Sequence, residues 1–187
     1  MRHLHTAAAV LGAVVLLALS GCTPSGFTEH RFEDVRVAVP DGWAESPADA
    51  LDDTWQFGLD DSAEGETRAR LRVAPMYGSS PHPVNAESTL FADAEMGQRY
   101  GKDFHADVRE ETEIEGARSA FKTEFTYSST TGTAMTGRWW FMSNPDTGQV
   151  SGVELVGESD VLDPDLIRDV ERTLELDPQD EGRRGDE

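Results

Sequence analysis

Cysteine is almost absent from this chain of 187 residues: Cys22 is the only one, so no internal disulfide framework holds the fold together. Basic side chains are scarce as well, with 16 Lys and Arg against 36 Asp and Glu, a formal net charge of −20 at pH 7. Nucleic acid is excluded as an expected partner, because binding it needs a basic footprint that releases counterions. The same charge repels anionic headgroups, so the protein surface by itself is a poor membrane anchor. Histidine is sparse, and His30, His82 and His105 lie at no ligand spacing from one another or from Cys22, which argues against a zinc site. The acidic pairs Asp52-Asp53 and Asp60-Asp61 lack the alternating oxygen ligands of a calcium loop and read as solvated acidic loops. No Gly-x-Ser-x-Gly elbow, Walker loop or dinucleotide fingerprint occurs, and Ser128 and Ser129 have no histidine nearby in sequence. No cofactor and no catalytic residue is expected.

Long hydrophobic runs are also missing, except at the start. Residues 7–19 contain nothing polar and follow a segment with Arg2, His3 and His5 but no acid. That is the pattern of an export leader, a charged n-region before an apolar h-region. As a helix the run rises about 20 Å, short of the roughly 30 Å hydrocarbon core, so a transient signal fits better than a permanent span. Leu19-Ser20-Gly21-Cys22 follows directly and resembles a bacterial lipobox. The resemblance implies that the Cys22 thiol becomes a diacylglyceryl thioether and that a peptidase, admitted by the small Ser20 and Gly21, cuts before it. Residues 1–21 would then be removed, and two acyl chains would hold the new N-terminus at the outer face of the cell membrane, where one chain gives only marginal binding. An ordinary signal peptide ending near Gly21 remains the alternative. Removal of Arg2 leaves 15 basic against 36 acidic residues, a formal charge of −21. Arg outnumbers Lys 14 to 2 in a chain rich in Ala, Gly, Asp and Val, which suggests a GC-rich, actinobacterial source.

Residues 22–26 read as a lipidated end and polar tether, residues 27–176 as one domain, and residues 177–187 as an acidic tail without apolar residues. Val35, Val37 and Val39 predict a half-buried strand closed by Pro40-Asp41-Gly42. Trp55, Phe57 and Leu59, and then Ala69, Leu71 and Val73, predict two more. Asn85 is placed as the N-cap of a helix carrying Leu90, Phe91, Ala94 and Gly97 and ending near Gly101. Four strands follow, around Ala106–Ile114, Phe121–Tyr127, Ala134–Met142 and Val150–Val156, the last two joined by a turn at Asn144-Pro145-Asp146-Thr147-Gly148. Asp163 as N-cap, Pro164 at the first position and the stripe Leu166, Ile167, Val170 and Leu174 predict a closing helix. The expected class is α+β, an antiparallel sheet flanked by helices in the order strands, helix, strands, helix.

That order, the Val-Ala-Val-Pro-Asp-Gly-Trp stretch at residues 37–43, the central helix and the closing helix together resemble the PsbP-like fold, whose bacterial members include actinobacterial lipoproteins of the LpqN and LpqT type. The resemblance implies a non-catalytic binding or accessory module without a cofactor, tethered to the membrane by its lipid and facing an envelope protein, lipid or glycan. A lipid or glycolipid carrier with an apolar cleft, and an envelope hydrolase, stand as alternatives. Two features mark a candidate contact surface. Arg68, Arg70 and Arg72 share one face of a regular strand, either paired with acids on neighbouring strands or free to meet an anion. Trp139 and Trp140 point to opposite faces, so one ring beside Arg138 is either buried under a helix or loop or an exposed anchor. For the N-terminus, a Cys22→Ala variant is expected to lose acyl mass and to leave the membrane fraction; a variant still membrane-bound without acyl mass overturns the anchoring.

Overall fold

The valines at 35, 37 and 39 do form a strand, but it lies in a small sheet of its own rather than at the edge of a large one. The computed structural model describes residues 23–78, 80–97 and 99–177. Residues 1–21, including Leu19, Ser20 and Gly21, the lipidation site Cys22 and the expected tail from residue 178 lie outside the described residues. Asp177, assigned to that tail, is held at 2.8 Å by Arg31 and 2.9 Å by Arg36.

Among the described residues, ten strands and two α-helices follow one another as β1 (Phe27–Phe32), β2 (Val35–Pro40), β3 (Ala44–Glu45), β4 (Phe57–Ala63), β5 (Glu66–Gly78), α1 (Pro83–Gly97), β6 (Lys102–Thr112), β7 (Ser119–Ser128), β8 (Ala134–Ser143), β9 (Val150–Glu158), α2 (Pro164–Glu171) and β10 (Glu175–Leu176). The small sheet has the order β1-β2-β10 and the large one β3-β4-β5-β9-β8-β7-β6, with every ladder antiparallel. After β5 the chain crosses the sheet as α1, starts again at the far edge with β6, and returns strand by strand until β9 pairs with β5.

Side-chain alternation along these strands makes two cores. On one face Leu59, Leu71, Val73, Trp140, Val153 and Leu155 pack with Val35, Val37 and Val39 of the small sheet and with Ile167, Val170 and Leu174 of α2. On the other face Trp139, Phe141 and Phe125 pack with Leu90 and Ala94 of α1. α2 forms as expected: the Asp163 carboxylate accepts from the Leu166 N–H at 2.8 Å, Pro164 occupies the first turn, and Ile167 and Val170 are buried. Burying each such aliphatic side chain contributes about 1.5–3 kcal/mol. The Asn144 turn also forms, its Oδ1 accepting from the N–H groups of Asp146 and Thr147 at 2.9 and 3.1 Å.

Four local expectations need correction. β1, β3 and β10 were not expected: β1 (Phe27–Phe32) carries Glu29, His30 and Arg31 at its centre and lies at an edge where neither face is fully buried, and β3 and β10 are only two residues long. Trp55 does not belong to β4; it sits in a turn where Asp52 Oδ1 accepts from the Thr54 and Trp55 N–H groups at 2.8 and 3.2 Å, and its ring enters the α1-side core. Asn85 is not the cap of α1, which begins at Pro83, a residue whose missing N–H costs nothing in a first turn. α1 stops at Gly97 rather than near Gly101.

The small sheet is closed by a backbone contact that leaves no room for a side chain. Leu176 N–H donates to the Glu115 carbonyl at 2.9 Å, and a Cβ on Gly116, whose φ is +77°, would stand 1.8 Å from the Leu176 carbonyl oxygen. Gly116→Ala is therefore expected to lower the urea-unfolding stability by about 2 kcal/mol or more, combining left-handed backbone strain with loss of the β10 contact. An unchanged unfolding midpoint would show that β10 contributes nothing.

Candidate binding groove beside a buried ion-pair network

On β5 the period of two places Arg68, Arg70 and Arg72 on the α1 side of the large sheet, where register sets Asp60 of β4 and Val156 of β9 beside Arg70 and Glu154 of β9 beside Arg72. Each arginine finds a carboxylate. Arg68 donates to Glu158 at 3.2 Å and reaches Asp160 at 3.6 Å. Arg70 forks onto Asp60 at 2.6 and 2.9 Å and gives a third N–H to the Ala50 carbonyl at 3.3 Å. Arg72 donates to Glu154 at 2.7 Å and lies 3.8 Å from Asp52. The row is graded: the Arg68 side chain is 37% exposed and that of Arg72 only 13%. Burial alone would raise the Asp60 carboxyl, but donation from Arg70 and Ser46 outweighs it and holds the group below the ordinary carboxylate value.

The inner end of the row is a closed network. Glu154 is fully buried. One of its oxygens is taken by Arg72; the other accepts from the Tyr100 hydroxyl and from the Trp139 indole N–H at 3.0 Å. Arg72 also lies over the Trp55 ring, 5.4 Å from its centroid. Burial, then the charge of Glu154 and its hydrogen bond, push the Tyr100 hydroxyl well above its ordinary value, so it stays a donor. A carboxylate saturated in this way is a structural anion, with no lone pair left for proton abstraction. A second such anion, Glu87 of α1, is also fully buried and accepts from Arg109 at 2.8 and 2.6 Å and from Thr123 at 2.7 Å. Neither Tyr100, Glu87 nor Glu154 stood out in the sequence. The one available signal was a lone acid inside an apolar strand, between Val153 and Leu155.

The sequence-derived patch divides in two. Trp139 joins the arginine row on the α1 side, while Arg138 and Trp140, of the opposite parity, lie on the α2 side. Both indoles are fully buried, so neither is an exposed anchor. Arg138 lies 5.9 Å from the Trp140 ring centroid and is bound by Glu171 of α2 at 2.5 Å and Glu124 at 2.6 Å.

α1 packs over β7 and β8, and Trp55 and Tyr100 cover a further part of that face. There a groove of about 230 Å³ is lined by Arg68, Arg70, Arg72, Tyr127, Met135 and Val156. Arginine stems and guanidinium heads form one side, and an aromatic and apolar strip forms the other. Burial, and to a smaller degree the charge of Glu154, push the Tyr127 hydroxyl up to about 12, so the groove presents it protonated. The arrangement places arginine N–H groups and the Tyr127 hydroxyl beside apolar Met135 and Val156.

Glu154→Gln is expected to destabilise the fold by about 3–5 kcal/mol in urea unfolding, because it leaves the buried Arg72 charge uncompensated. Tyr100→Phe, which keeps that pair and deletes one donor, should cost about 1–3 kcal/mol. Equal losses for the two variants would overturn this ranking.

No family model and no curated protein sequence matches the chain. Solved structures do. The Ran-binding protein Mog1p of Saccharomyces cerevisiae is 12% identical with a TM-score of 0.54, over 81% of this chain and 96% of that one. The cyanobacterial PsbP (CyanoP) of Synechocystis is 11% identical with a TM-score of 0.57, over 90% and 98%. LpqN, involved in cell envelope biogenesis of Mycobacterium tuberculosis, is 18% identical with a TM-score of 0.50, over 81% and 91%. At these identities the likeness is one of fold, and on it the chain has the PsbP-like α+β fold.

Proposed function

We propose that this is an exported lipoprotein, acylated on Cys22 and held at the outer face of the cell membrane, whose domain is a non-catalytic binding or accessory module that meets an envelope partner through the groove beside β5. The observation that carries the reading is the contrast between the two ends of the arginine row. At the inner end, donors and acceptors are matched and closed in. At the outer end, Arg68, Tyr127 and Met135 line an open groove whose polar groups are pre-set by ion pairs. Such preorganisation lowers the ordering cost of a complex. The leader and lipobox at residues 1–22 support the location, as does the likeness in fold to an envelope protein of Mycobacterium tuberculosis. Among the described residues, no helix is long and apolar enough to cross a membrane.

The two alternatives have less support. A carrier needs an apolar cleft between helix and sheet, and the α2 stripe is instead packed against the valines of β2; the larger space of about 600 Å³ between α1 and β6 is lined by Glu95, Lys102 and Asp103 as well as Ala94 and Phe104, a polar mouth rather than an apolar cleft. A hydrolase needs a carboxyl poised beside a hydroxyl that a substrate can reach; the buried pairs Glu154 with Tyr100, Glu87 with Thr123 and Asp34 with Ser151 are enclosed and already hydrogen-bonded.

A photo-crosslinking residue in place of Tyr127 or Met135 in intact cells is expected to capture an envelope component identifiable by mass spectrometry, while the same residue at the exposed Asp165 captures none. Absence of any groove-specific adduct, together with turnover of an envelope substrate by the purified protein, would overturn the proposal.

A further inference from the structure

Asp34 is a buried carboxyl to which the groove and its network give no role. It lies in the turn between β1 and β2, is 8% exposed, and faces Ser151 of β9, whose hydroxyl oxygen is 3.2 and 3.3 Å from its two oxygens. The same hydroxyl is only 2.6 Å from the carbonyl of Pro75 on β5. That carbonyl sits where the β5–β9 ladder breaks register between Ala74 and Gly78 and is free to accept. A hydroxyl carries one hydrogen, and the shorter contact claims it. Between Ser151 and Asp34 a hydrogen is then present only if the carboxyl brings it.

We infer that Asp34 is a proton-dependent latch between the two sheets: protonated, it donates to Ser151 while Ser151 donates to Pro75, and holds the β1–β2 turn against β9; ionised, it has to compete with the Pro75 carbonyl for the one Ser151 hydrogen, and the turn loosens. Among the charges around it, that of Glu33, in the same turn, favours the neutral form. From the β10 side come Asp177 and Glu175, whose carboxylates are engaged by Arg31 and Arg36. Ser151, Asn144 and Pro75, on the large-sheet side, are uncharged. Burial holds the Asp34 carboxyl above its ordinary value of 3.8; hydrogen bonds to its ionised form, from the Asn144 and Ser151 side chains and from its own backbone N–H, draw it down by less. The latch reaches the C-terminal strand as well, because the Asp177 N–H donates to the Asp34 carbonyl at 2.7 Å.

A carboxyl raised on folding contributes stability that is fully present below 3.8 and is lost as pH rises from there to the raised value. The test is urea unfolding of the full chain across pH 4 to 8, comparing wild type with Asp34→Asn, whose neutral amide still donates. The ratio of folding constants, variant over wild type, should climb by up to about tenfold per pH unit within that window and be flat above it. A second measurement needs no variant. In the wild type, the Asp34 carboxyl carbon titrated by NMR should have its midpoint above 3.8, and the Asp177 amide should lose exchange protection, corrected for intrinsic rate, with the same midpoint. A midpoint at or below 3.8, or parallel pH profiles for the two proteins, would overturn the latch.

Discussion

Glu154 is the point on which the large sheet depends. An ionised carboxylate in a closed core is tolerable only when every lone-pair direction meets a donor, and here the donors come from three places: Arg72 on the adjacent strand, Trp139 on the strand beyond, and Tyr100 in the connection after α1. Satisfying one charge therefore fixes the spacing of β5, β9 and β8 and the position of the chain that leaves α1. Trp55 and Tyr127 take their places around that group, and the groove lies on a part of the same face that α1 does not cover.

Glu87 repeats the device at the other side of α1. Its carboxylate binds Arg109 of β6 and Thr123 of β7, and Arg109 lies 4.2 Å from the Phe91 ring centroid. A helix of modest amphipathicity is thus positioned by a buried anion on each flank, in addition to its apolar contacts through Leu90 and Ala94. Buried polar groups of this kind contribute registry more than net stability. The α2 side works differently: Glu171 meets Arg138 and Lys122 near the surface, and the helix is held chiefly by Ile167, Val170 and Leu174.

Elements with a strict period and strong punctuation were legible in sequence: β2 with its Pro-Asp-Gly turn, β7, β8 and β9 around the Asn144 turn, and α2 with its Asp163 cap. What escaped was fixed by partners far away in the chain. β1 has no apolar alternation because, at a sheet edge, neither of its faces is fully buried. Trp55 follows an Asx turn rather than a strand. Glu154 and Glu87 look like ordinary surface acids until Arg72 and Arg109 are brought to them. The arginine row was legible as a row, with its alternatives open; only the register to Asp60, Glu154 and Glu158 supplies the pairing. The tryptophan pair followed the parity rule, and that rule also separates Trp140 from the arginine row by the thickness of a sheet.

The small sheet joins the two ends of the domain. β2 lies between the strand just before it and a two-residue strand 139 positions later, as the Arg36 to Glu175 contact marks. Contacts of such long range are entropically late to form. A polypeptide emerging from the ribosome N-terminus first has to present residue 176 before that sheet is complete, so the valines of the β1–β2 hairpin lack their β10 neighbour until then.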